Sequence, residues 1–363
     1  MSAATATVHH IPMSVKALSE SPGLTSIPSD YAFASAADDY DLPLYTKDHD
    51  SIPVIDFSLL LSEDPGRRSK AIVQLGRACQ DWGFFMVINH GIPETLMEAI
   101  IGVCRGFFDL SEDDKREFHA KHVLDPIRFG TSFNASVEKV FFWRDFLKVM
   151  VHPKFHSPSK PENFSDVLSE YCEKVRNLVK GLLGGISESL GLEWEYLSKV
   201  LDMESSLQIL TANLYPPCPQ PELAMGMPPH SDHGLLTMLV QNGIGGLQVF
   251  HGGKWVMVDA IPGAFLVNTG DHLEIATNGK YKSVLHRAVV NNHATRMSIS
   301  VASGPSPDTL VSPIEGLLEQ TGNRAAYLGM KYKDYLELQQ SNVLDGKSCL
   351  DRVKITRAPH GLI

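Results

Sequence analysis

Residues 228–241 read PPHSDHGLLTMLVQ and place two histidines and an aspartate directly before a run of strand-forming residues. In extended backbone, side chains two residues apart point to the same side, so His230 and Asp232 would face one point and His233 would face away from it. The two prolines restrict the backbone before His230 and reduce the entropy lost in positioning it. The spacing therefore favours His230 and Asp232 as a pair of metal ligands.

A third ligand is expected from a neighbouring strand, and the β-prone run VLHRAVV supplies His286. Two imidazoles and one carboxylate on one face of a metal are the ligand set of non-haem Fe(II) oxygenases, which keep the other positions open. The chain has 15 histidines, so a chance H-x-D and an ordinary surface histidine form the alternative interpretation. These residues alone leave both interpretations open.

The segment RMSIS follows ten residues after His286 and places Arg296 and Ser298 on one side of a strand. A guanidinium binds a carboxylate through two parallel hydrogen bonds, and a neighbouring hydroxyl can add a third. Ten residues is the length of a hairpin return, which would bring this pair beside His286. The alternative is an edge-strand arginine in a surface salt bridge.

The metal and carboxylate candidates lie in a β-rich part of the chain that begins near residue 207. Short β-prone runs there alternate with Gly, Pro and Asn turns, which is typical of a sandwich or jelly roll. Apolar residues at helical spacing predict helices before and after it, at 67–83, 94–110, 161–191, 193–202 and 330–341. A strand is expected within 52–61, a buried strand within 83–93, and an irregular, aromatic-rich region over 115–160.

The predicted fold is mainly β with flanking helices, and it divides into four parts. We expect residues 1–50 to form an extended, partly flexible arm and residues 51–205 to form a mainly helical N-terminal region. Residues 206–310 would form the jelly-roll core, and residues 311–363 a C-terminal helix and tail.

The composition and net charge of the chain limit the kinds of partner that we expect for it. The chain has 363 residues and a formal net charge of -10, with no cluster of Lys and Arg, so nucleic acid is not an expected partner. Five widely spaced cysteines without a CxxC argue against disulfides and a cysteine zinc site. No apolar run is long enough for a membrane span, and the N-terminus does not resemble a secretory signal. We expect a cytoplasmic monomer that acts on a small molecule without a membrane partner.

Taken together, these motifs resemble the plant 2-oxoglutarate- and Fe(II)-dependent dioxygenases of the isopenicillin-N-synthase-like superfamily. The resemblance covers about residues 50 to 345. It rests on the segments IPVIDF, GFFMVINHGIP, FFDLSEDDK, NLYPPCPQPE, HSDHGLLTMLVQ, GLQVFHGGKWV, NTGD, NGKYKSVLHRAV and RMSIS.

The resemblance implies a double-stranded β-helix core and a set of binding residues. The implied iron ligands are His230, Asp232 and His286. The implied contacts of 2-oxoglutarate are Asn213, Tyr215, Arg296 and Ser298. Such enzymes consume O2, release succinate and CO2, and use ascorbate as a reductant.

The resemblance also indicates which residues would meet the substrate. These are Phe129, Phe133, Phe146, Thr211, Ala302 and Gly304; for the phenylalanines, plain core packing is the alternative. The resemblance to flavonoid-oxidising enzymes such as the flavanone 3-hydroxylases is weaker at three positions. Their pattern is Lys, Phe and Glu where this chain has Thr211, Ala302 and Gly304. The segments TSFN, WRDFLKV and YPPCPQPEL look more like the salicylate hydroxylases. We expect hydroxylation of an apolar cyclic or aromatic small molecule of plant hormone or specialised metabolism.

Two other classes of protein could carry much of the same pattern. One is an Fe(II) oxidase of the aminocyclopropane-carboxylate type, which uses ascorbate without 2-oxoglutarate and also carries R-x-S. The other is a catalytically silent small-molecule binder, whose mark would be a lost metal ligand. Succinate release would separate the first of these from a 2-oxoglutarate-dependent enzyme.

Overall fold

The computed structural model describes residues 13–33, 51–119 and 122–356. In these ranges the chain forms fourteen strands and eleven α-helices. The strands are β1 (Val54–Asp56), β2 (Phe84–Ile88), β3 (Ile127–Thr131), β4 (Asp145–His152), β5 (Gln208–Tyr215), β6 (Met227–His230), β7 (Leu236–Gln241), β8 (Leu247–His251), β9 (Lys254–Met257), β10 (Phe265–Thr269), β11 (His286–Ala288), β12 (Arg296–Ser303), β13 (Leu310–Val311) and β14 (Met330–Lys331). The helices are α1 (Val15–Ser19), α2 (Phe57–Leu60), α3 (Pro65–Arg77), α4 (Glu94–Phe108), α5 (Glu112–Lys115), α6 (Phe164–Ser189), α7 (Tyr196–Val200), α8 (Asp271–Ala276), α9 (Glu315–Thr321), α10 (Tyr332–Ser341) and α11 (Ser348–Val353).

Two β-sheets form the centre of the fold. The larger has eight strands in the order β1-β2-β10-β7-β12-β5-β4-β3, and the smaller has four in the order β6-β11-β8-β9. Strands β5 to β12 pass back and forth between the two sheets, which is the topology of a double-stranded β-helix, or jelly roll. The predicted fold, a mainly β protein with a jelly-roll core and flanking helices, is confirmed.

Strand β12 shows how the larger sheet separates core from cavity. Its residues Met297, Ile299 and Val301 are fully buried in the main hydrophobic core, on which α4 and α6 pack. The alternate residues Arg296 and Ser298 point the other way, into a cavity between the sheets. The period of two therefore gives one face to folding stability and the other to the site.

The helices of the N-terminal region cover the outer face of the larger sheet. The long helix α6 contacts α3 and α4. Its buried stripe repeats every three or four residues, as a helix that rests on a core requires, through Leu168, Tyr171, Val175, Leu178, Leu182 and Ile186. The predictions of helices at 94–110, 161–191, 193–202 and 330–341 are confirmed to within a few residues as α4, α6, α7 and α10.

The predicted stop of the helix at Gly83 is also confirmed. After Arg77 the helix widens into one π-helical turn, Ala78–Trp82, and Gly83 ends it with φ of 62°. A side chain there would collide with the carbonyl oxygen of Lys282. Glycine is therefore required both by the backbone angle and by the close approach of a second segment.

The region predicted as irregular, 115–160, contains two strands. β3 and β4 pair antiparallel, and β4 also pairs with β5, so they extend the larger sheet at one edge. The prediction was wrong for these residues because strand alternation there is interrupted by aromatic and charged residues that are buried on both faces.

Part of the predicted extended arm is folded. Of residues 1–50 the structure describes 13–33, while 1–12 and 34–50 lie outside the described residues, as do 357–363 of the predicted tail. The short helix α1 begins at Val15, which is fully buried. The buried carboxylate of Asp145 accepts hydrogen bonds of 2.8 Å from the backbone amides of both Val15 and Lys16. These bonds satisfy two free amides of the first turn and hold the segment against the sheet.

No helix in the described part of the chain is both long and apolar enough to cross a membrane.

Candidate active site

Three potential metal ligands meet between the two sheets. His230 ends β6 and His286 begins β11, and the two residues are direct partners in the smaller sheet. Asp232 follows His230 by two residues. One nitrogen of each histidine and one oxygen of Asp232 all lie within 4.8 Å of one another. Among the described residues, this is the one group of three or more His, Cys, Asp or Glu side chains with such spacing.

Asp232 reaches this point in a different way from the one predicted. It lies beyond the end of β6, in the segment that leads to β7, so the period of a strand does not orient it. Its backbone carbonyl instead accepts from the amide of Asp271 at 2.8 Å, and its Oδ2 accepts from Asn268 Nδ2 at 2.9 Å. Its Oδ1 is left facing His230 Nε2 and His286 Nε2, at 3.7 and 3.6 Å.

Hydrogen bonds fix which nitrogen of each histidine is free. His230 Nδ1 lies 2.8 Å from the carbonyl oxygen of Pro228, and His286 Nδ1 lies 3.2 Å from that of Val284. A carbonyl oxygen can only accept, so both Nδ1 atoms carry the proton and both Nε2 atoms keep a lone pair. This backbone support is typical of metal-binding histidines.

The charges at the cluster suit a cation. Burial, with the neighbouring His286, lowers the pKa of His230 to about 3, so its imidazole is neutral at neutral pH. Burial alone would raise the pKa of Asp232, but His286, His230 and the bond from Asn268 outweigh it and hold the pKa below its usual range. Two imidazole nitrogens and an ionised carboxylate are a ligand set that fits Fe(II).

His233 lies outside the cluster, although it borders the same cavity. Its Nδ1 lies 2.8 Å from the hydroxyl of Tyr332, and burial lowers its pKa to about 4. Its role in this structure is a hydrogen bond to α10.

The residues expected to hold 2-oxoglutarate form two facing pairs on neighbouring strands. Arg296 on β12 is opposite Tyr215 on β5, and Ser298 is opposite Asn213. Asn213 Nδ2 donates to Ser298 Oγ at 3.4 Å, and the Arg296 guanidinium lies 5.0 Å from the centre of the Tyr215 ring. All four residues border the cavity.

Arg296 is suited to bind a carboxylate. It is 1% exposed, and its Nη2 donates to Gln241 Oε1 at 3.0 Å. Its Nε and Nη1 have no hydrogen-bond partner among the described residues. Buried donors without partners are costly, so an acceptor with two oxygens would satisfy a real deficit here. The expectation of a hairpin between His286 and Arg296 was wrong, because β11 and β12 belong to different sheets.

The cavity has a volume of about 120 Å³ and extends from the three ligands to both of these strands. Of the six residues expected to meet the substrate, it is bordered by Phe133, Thr211 and Ala302. Phe129, Phe146 and Gly304 do not border it.

Each of the three other residues is placed elsewhere by packing. Phe129 pairs with Leu147 on the core face of the sheet and lies 5.8 Å, between ring centres, from Phe107. Phe146 alternates with the cavity-lining Lys148 on β4, but its ring packs against Arg144, whose guanidinium carbon is 4.8 Å from the ring centre. A side chain at Gly304 would overlap the ring of Tyr332. These three positions are corrections to the expected substrate contacts.

Several residues that border the cavity were not expected from the sequence. Lys148 lies on β4 and Arg144 directly before it, and Gln339, Gln340 and Leu344 come from the end of α10 and the segment after it. The alternation Arg144-Asp-Phe146-Leu-Lys148 was a signal for the first two, because positions two apart share a face. No local signal identifies the C-terminal three.

The C-terminal segment is attached to the strand that ends in His230. The amide of Gly346 donates to the carbonyl oxygen of Pro229 at 3.2 Å, and the amide of Ser231 donates to that of Gly346 at 3.3 Å. Gln339 Nε2 also donates to the carbonyl oxygen of Ser231 at 3.2 Å. Hydrogen bonds therefore connect the C-terminal segment, which forms one wall of the cavity, to the residues on both sides of His230.

Two protein-family models match the chain. Residues 206–305 match the 2OG-Fe(II) oxygenase superfamily, and residues 52–169 match the N-terminal model of the non-haem dioxygenases in morphine synthesis.

Similar proteins agree with these matches. The chain is 48% identical to 2-oxoglutarate-dependent dioxygenase 19 of Oryza sativa subsp. japonica, over 84% of this chain and 90% of that protein. It is 41% identical to Protein DMR6-LIKE OXYGENASE 2 of Arabidopsis thaliana, over 85% and 89% of the two chains. A crystal structure of JOX2 in complex with 2OG, Fe and JA superimposes with a TM-score of 0.85 and 30% identity, and covers 96% of this chain and 99% of that one.

Proposed function

The chain belongs to the 2-oxoglutarate- and Fe(II)-dependent oxygenase superfamily and is an iron- and 2-oxoglutarate-dependent dioxygenase, and we propose that it hydroxylates an apolar, cyclic or aromatic small molecule of plant hormone or specialised metabolism. The observation that carries the proposal is one cavity with two separate features. At one side are His230, Asp232 and His286, and at the other is the buried guanidinium of Arg296.

We assign His230, Asp232 and His286 as the iron ligands. We assign Arg296, Ser298, Asn213 and Tyr215 to 2-oxoglutarate, with its distal carboxylate between the unpartnered donors of Arg296 and the Ser298 hydroxyl. Iron held there would supply the oxidative decarboxylation of 2-oxoglutarate by O2 to succinate and CO2, with the second oxygen atom going to the substrate. Ascorbate serves as the reductant that keeps iron in the Fe(II) state.

The protein's part in this chemistry is to position groups and to exclude water. Asn268 and the backbone contacts of Pro228 and Val284 orient the three ligands before a metal arrives. Gln241 holds one arm of the Arg296 guanidinium, so less freedom is lost when the carboxylate binds.

Apolar side chains support an apolar substrate. The cavity is bordered by Phe84, Phe133, Met227, Leu239, Leu266 and Leu344. The ring centre of Phe84 lies 5.3 Å from that of His286, next to the expected metal. JOX2 was crystallised with JA, and two plant relatives carry the words dioxygenase and oxygenase in their names, which supports a plant small molecule for this chain.

Succinate release tests the proposal. Purified protein would be supplied with Fe(II), 2-oxoglutarate, ascorbate and a library of plant aromatic and alicyclic compounds. We expect succinate to rise with a substrate, and a product that has gained one oxygen atom. Oxidation that proceeds with ascorbate in the absence of 2-oxoglutarate would instead identify the ascorbate-dependent type of oxidase. Product masses lower by two hydrogens or by an alkyl group would replace hydroxylation by desaturation or dealkylation.

We also propose that the chain acts as a cytoplasmic monomer without a membrane or nucleic-acid partner. Its acidic net charge speaks against a nucleic-acid partner. Light scattering on the purified protein and fluorescence localisation of a C-terminally tagged chain would test the two parts separately.

A further inference from the structure

The cavity wall has an excess of positive charge. Among the described residues that border it, the cationic side chains are Arg144, Lys148, Arg287 and Arg296, and the one carboxylate is Asp232. Fe(II) and the two carboxylates of 2-oxoglutarate carry opposite charges of equal size, so their arrival leaves this excess unchanged. Arg296 is assigned to 2-oxoglutarate, and Arg287 donates to Gln248 Oε1 and stacks on Trp255 at 4.1 Å. Arg144 and Lys148 remain.

Arg144 is a buried cation without an ion pair in the described part of the chain. It is 1% exposed, and its Nη1 contacts the sulfur of Met227, a weak acceptor. Its Nε has no hydrogen-bond partner among the described residues. An arginine buried for stability alone is normally paired with an acid or bonded to several carbonyl oxygens.

Nearby acids do not neutralise Arg144 by direct contact. The carboxylate of Asp145 is occupied by the amides of Val15 and Lys16 and by Thr131 Oγ1, the last at 2.6 Å. Glu138 accepts from the amide of Leu344 at 3.5 Å.

Lys148 lies on β4, four positions after Arg144 and on the same side of the strand direction, and is partly buried. Its Nζ donates to the neutral amide oxygen of Gln340 and lies 5.0 Å from the centre of the Phe133 ring. Burial, together with Arg128 and Arg144, holds the pKa of Lys148 well below its ordinary value. An anion beside it would favour the charged form.

We propose that Arg144 and Lys148 form a subsite for a carboxylate on the organic substrate, so that the substrate is a ring-bearing acid rather than a neutral compound. The inference rests on the proposed function, because it concerns the third molecule in the same cavity. The carboxylate oxygens complete the hydrogen bonding of Arg144 and Lys148, while Phe133 and the leucines contact the apolar ring. The competing explanation is that Lys148 serves only to bind Gln340 and thereby hold α10 in place.

Paired probes test this subsite directly. The protein would be loaded with Fe(II) and 2-oxoglutarate without oxygen and titrated calorimetrically with benzoate, phenylacetate and cyclopentylacetate, and with the methyl ester of each. We expect at least one acid to bind more tightly than its ester by about 10-fold to 100-fold, the value of one hydrogen bond to a charged group.

Variants then assign the preference to residues. Lys148→Met and Arg144→Met should each reduce the acid-over-ester preference by a similar factor, and Lys148→Arg should retain most of it. Lys174→Met, at a partly exposed lysine on α6, is the matched control and should leave the preference unchanged. Circular dichroism and thermal unfolding of every variant show whether it folds. If one methionine variant fails to fold, Lys148→Arg and the other methionine variant still test the carboxylate subsite.

The results separate this inference from the proposed function. Succinate formed slowly from 2-oxoglutarate without any substrate tests the iron and 2-oxoglutarate site alone, and its absence would contradict the proposed function. With that reaction present, equal binding of acids and esters, binding of no acid at all, or a full preference in Lys148→Met would each overturn the carboxylate subsite.

Discussion

Lys148 on β4 and Thr211 on β5 are direct partners in neighbouring antiparallel strands, and both border the cavity. In the pattern of the flavonoid-oxidising enzymes that this chain resembles, lysine stands at the position of Thr211. In this protein the lysine is Lys148, on the neighbouring strand β4. A cation therefore remains at this place in the cavity wall, but it is carried by β4 and not by β5.

This exchange of sides predicts a compensating double variant. Thr211→Lys alone would place two ammonium groups opposite each other, and like charges directly opposite destabilise a sheet by roughly 0.2–1 kcal/mol or more when partly buried. We expect a lower melting temperature for Thr211→Lys and recovery in Thr211→Lys with Lys148→Thr. A double variant no more stable than the single one would show that the two side chains do not interact.

Iron content should depend on His230, Asp232 and His286 and should not depend on His233. Loss of a partner that merely supports a metal ligand costs about 10-fold to 100-fold in metal affinity, so removal of a ligand should cost at least as much. We expect His230→Ala, Asp232→Ala and His286→Ala to bind iron at least about 10-fold more weakly. His233→Ala, which loses only the bond to Tyr332, should retain iron. Iron measured after equilibrium dialysis is the readout, and loss of iron from His233→Ala alone would refute the assignment.

Arg296→Lys should weaken 2-oxoglutarate binding and leave iron in place. Lysine keeps the charge but cannot present two parallel donors, and one hydrogen bond to a charged group contributes about 1.5–3 kcal/mol. We expect the dissociation constant for 2-oxoglutarate to rise about 10-fold to 100-fold. Gln241→Leu is an informative companion, because it frees the guanidinium without removing it and should have a smaller effect. An unchanged 2-oxoglutarate affinity in Arg296→Lys would contradict the clamp.

Two neighbouring positions on β12 and its continuation should respond in opposite ways. Ala302 borders the cavity, so Ala302→Phe should fill empty space, keep the fold and iron, and block substrate turnover. At Gly304 a methyl group would overlap Tyr332, so Gly304→Ala should lower stability by about 1–3 kcal/mol, as overpacking does. Urea unfolding and product formation on both variants provide the comparison. Full activity in Ala302→Phe, or unfolding of it, would mean that this side chain does not meet the substrate.

Glu138 predicts a pH dependence of stability. Burial raises its pKa to about 7, while its carboxyl would ionise near 4.5 in the unfolded chain. Between these two values the folded protein holds a proton that the unfolded chain has released, so this residue makes stability fall as pH rises from about 4.5 to 7. Glu138→Gln should remove that contribution. The test is the difference in melting temperature between variant and wild type across this pH range, and a difference that does not grow with pH would contradict the assignment.

Local patterns predicted the parts of the site that depend on short stretches of chain. Arg296 and Ser298 share a face because both belong to one strand, and the period of two is a property of the backbone. His230 and Asp232 were paired correctly in space, but Asp232 is oriented by hydrogen bonds from Asp271 and Asn268, which lie 36 or more residues away. A short motif can thus indicate a pair of residues without revealing what orients them.

Long-range packing decided the positions that the sequence placed wrongly. Gly304 lies at the end of a predicted strand, but Tyr332 on α10 occupies the space beside it. Phe129 and Phe146 are both aromatic residues in one segment, and only the pairing of β3 with β4 determines that they face opposite sides. Lys148 and Gln340 meet across 192 residues of sequence, so neither residue alone indicates the contact.

The bond between Gly346 and the strand of His230 has a consequence for how the protein is made. A ribosome releases the chain from its N-terminus, so all three proposed ligands emerge more than fifty residues before Gly346 does. A nonsense codon between Ser303 and Gln339 would yield a product that keeps every proposed iron ligand and lacks Gln339, Gln340 and Leu344, which form one wall of the cavity. Such a product would expose a redox-active metal to water and to cellular reductants, and completion of translation is what encloses it.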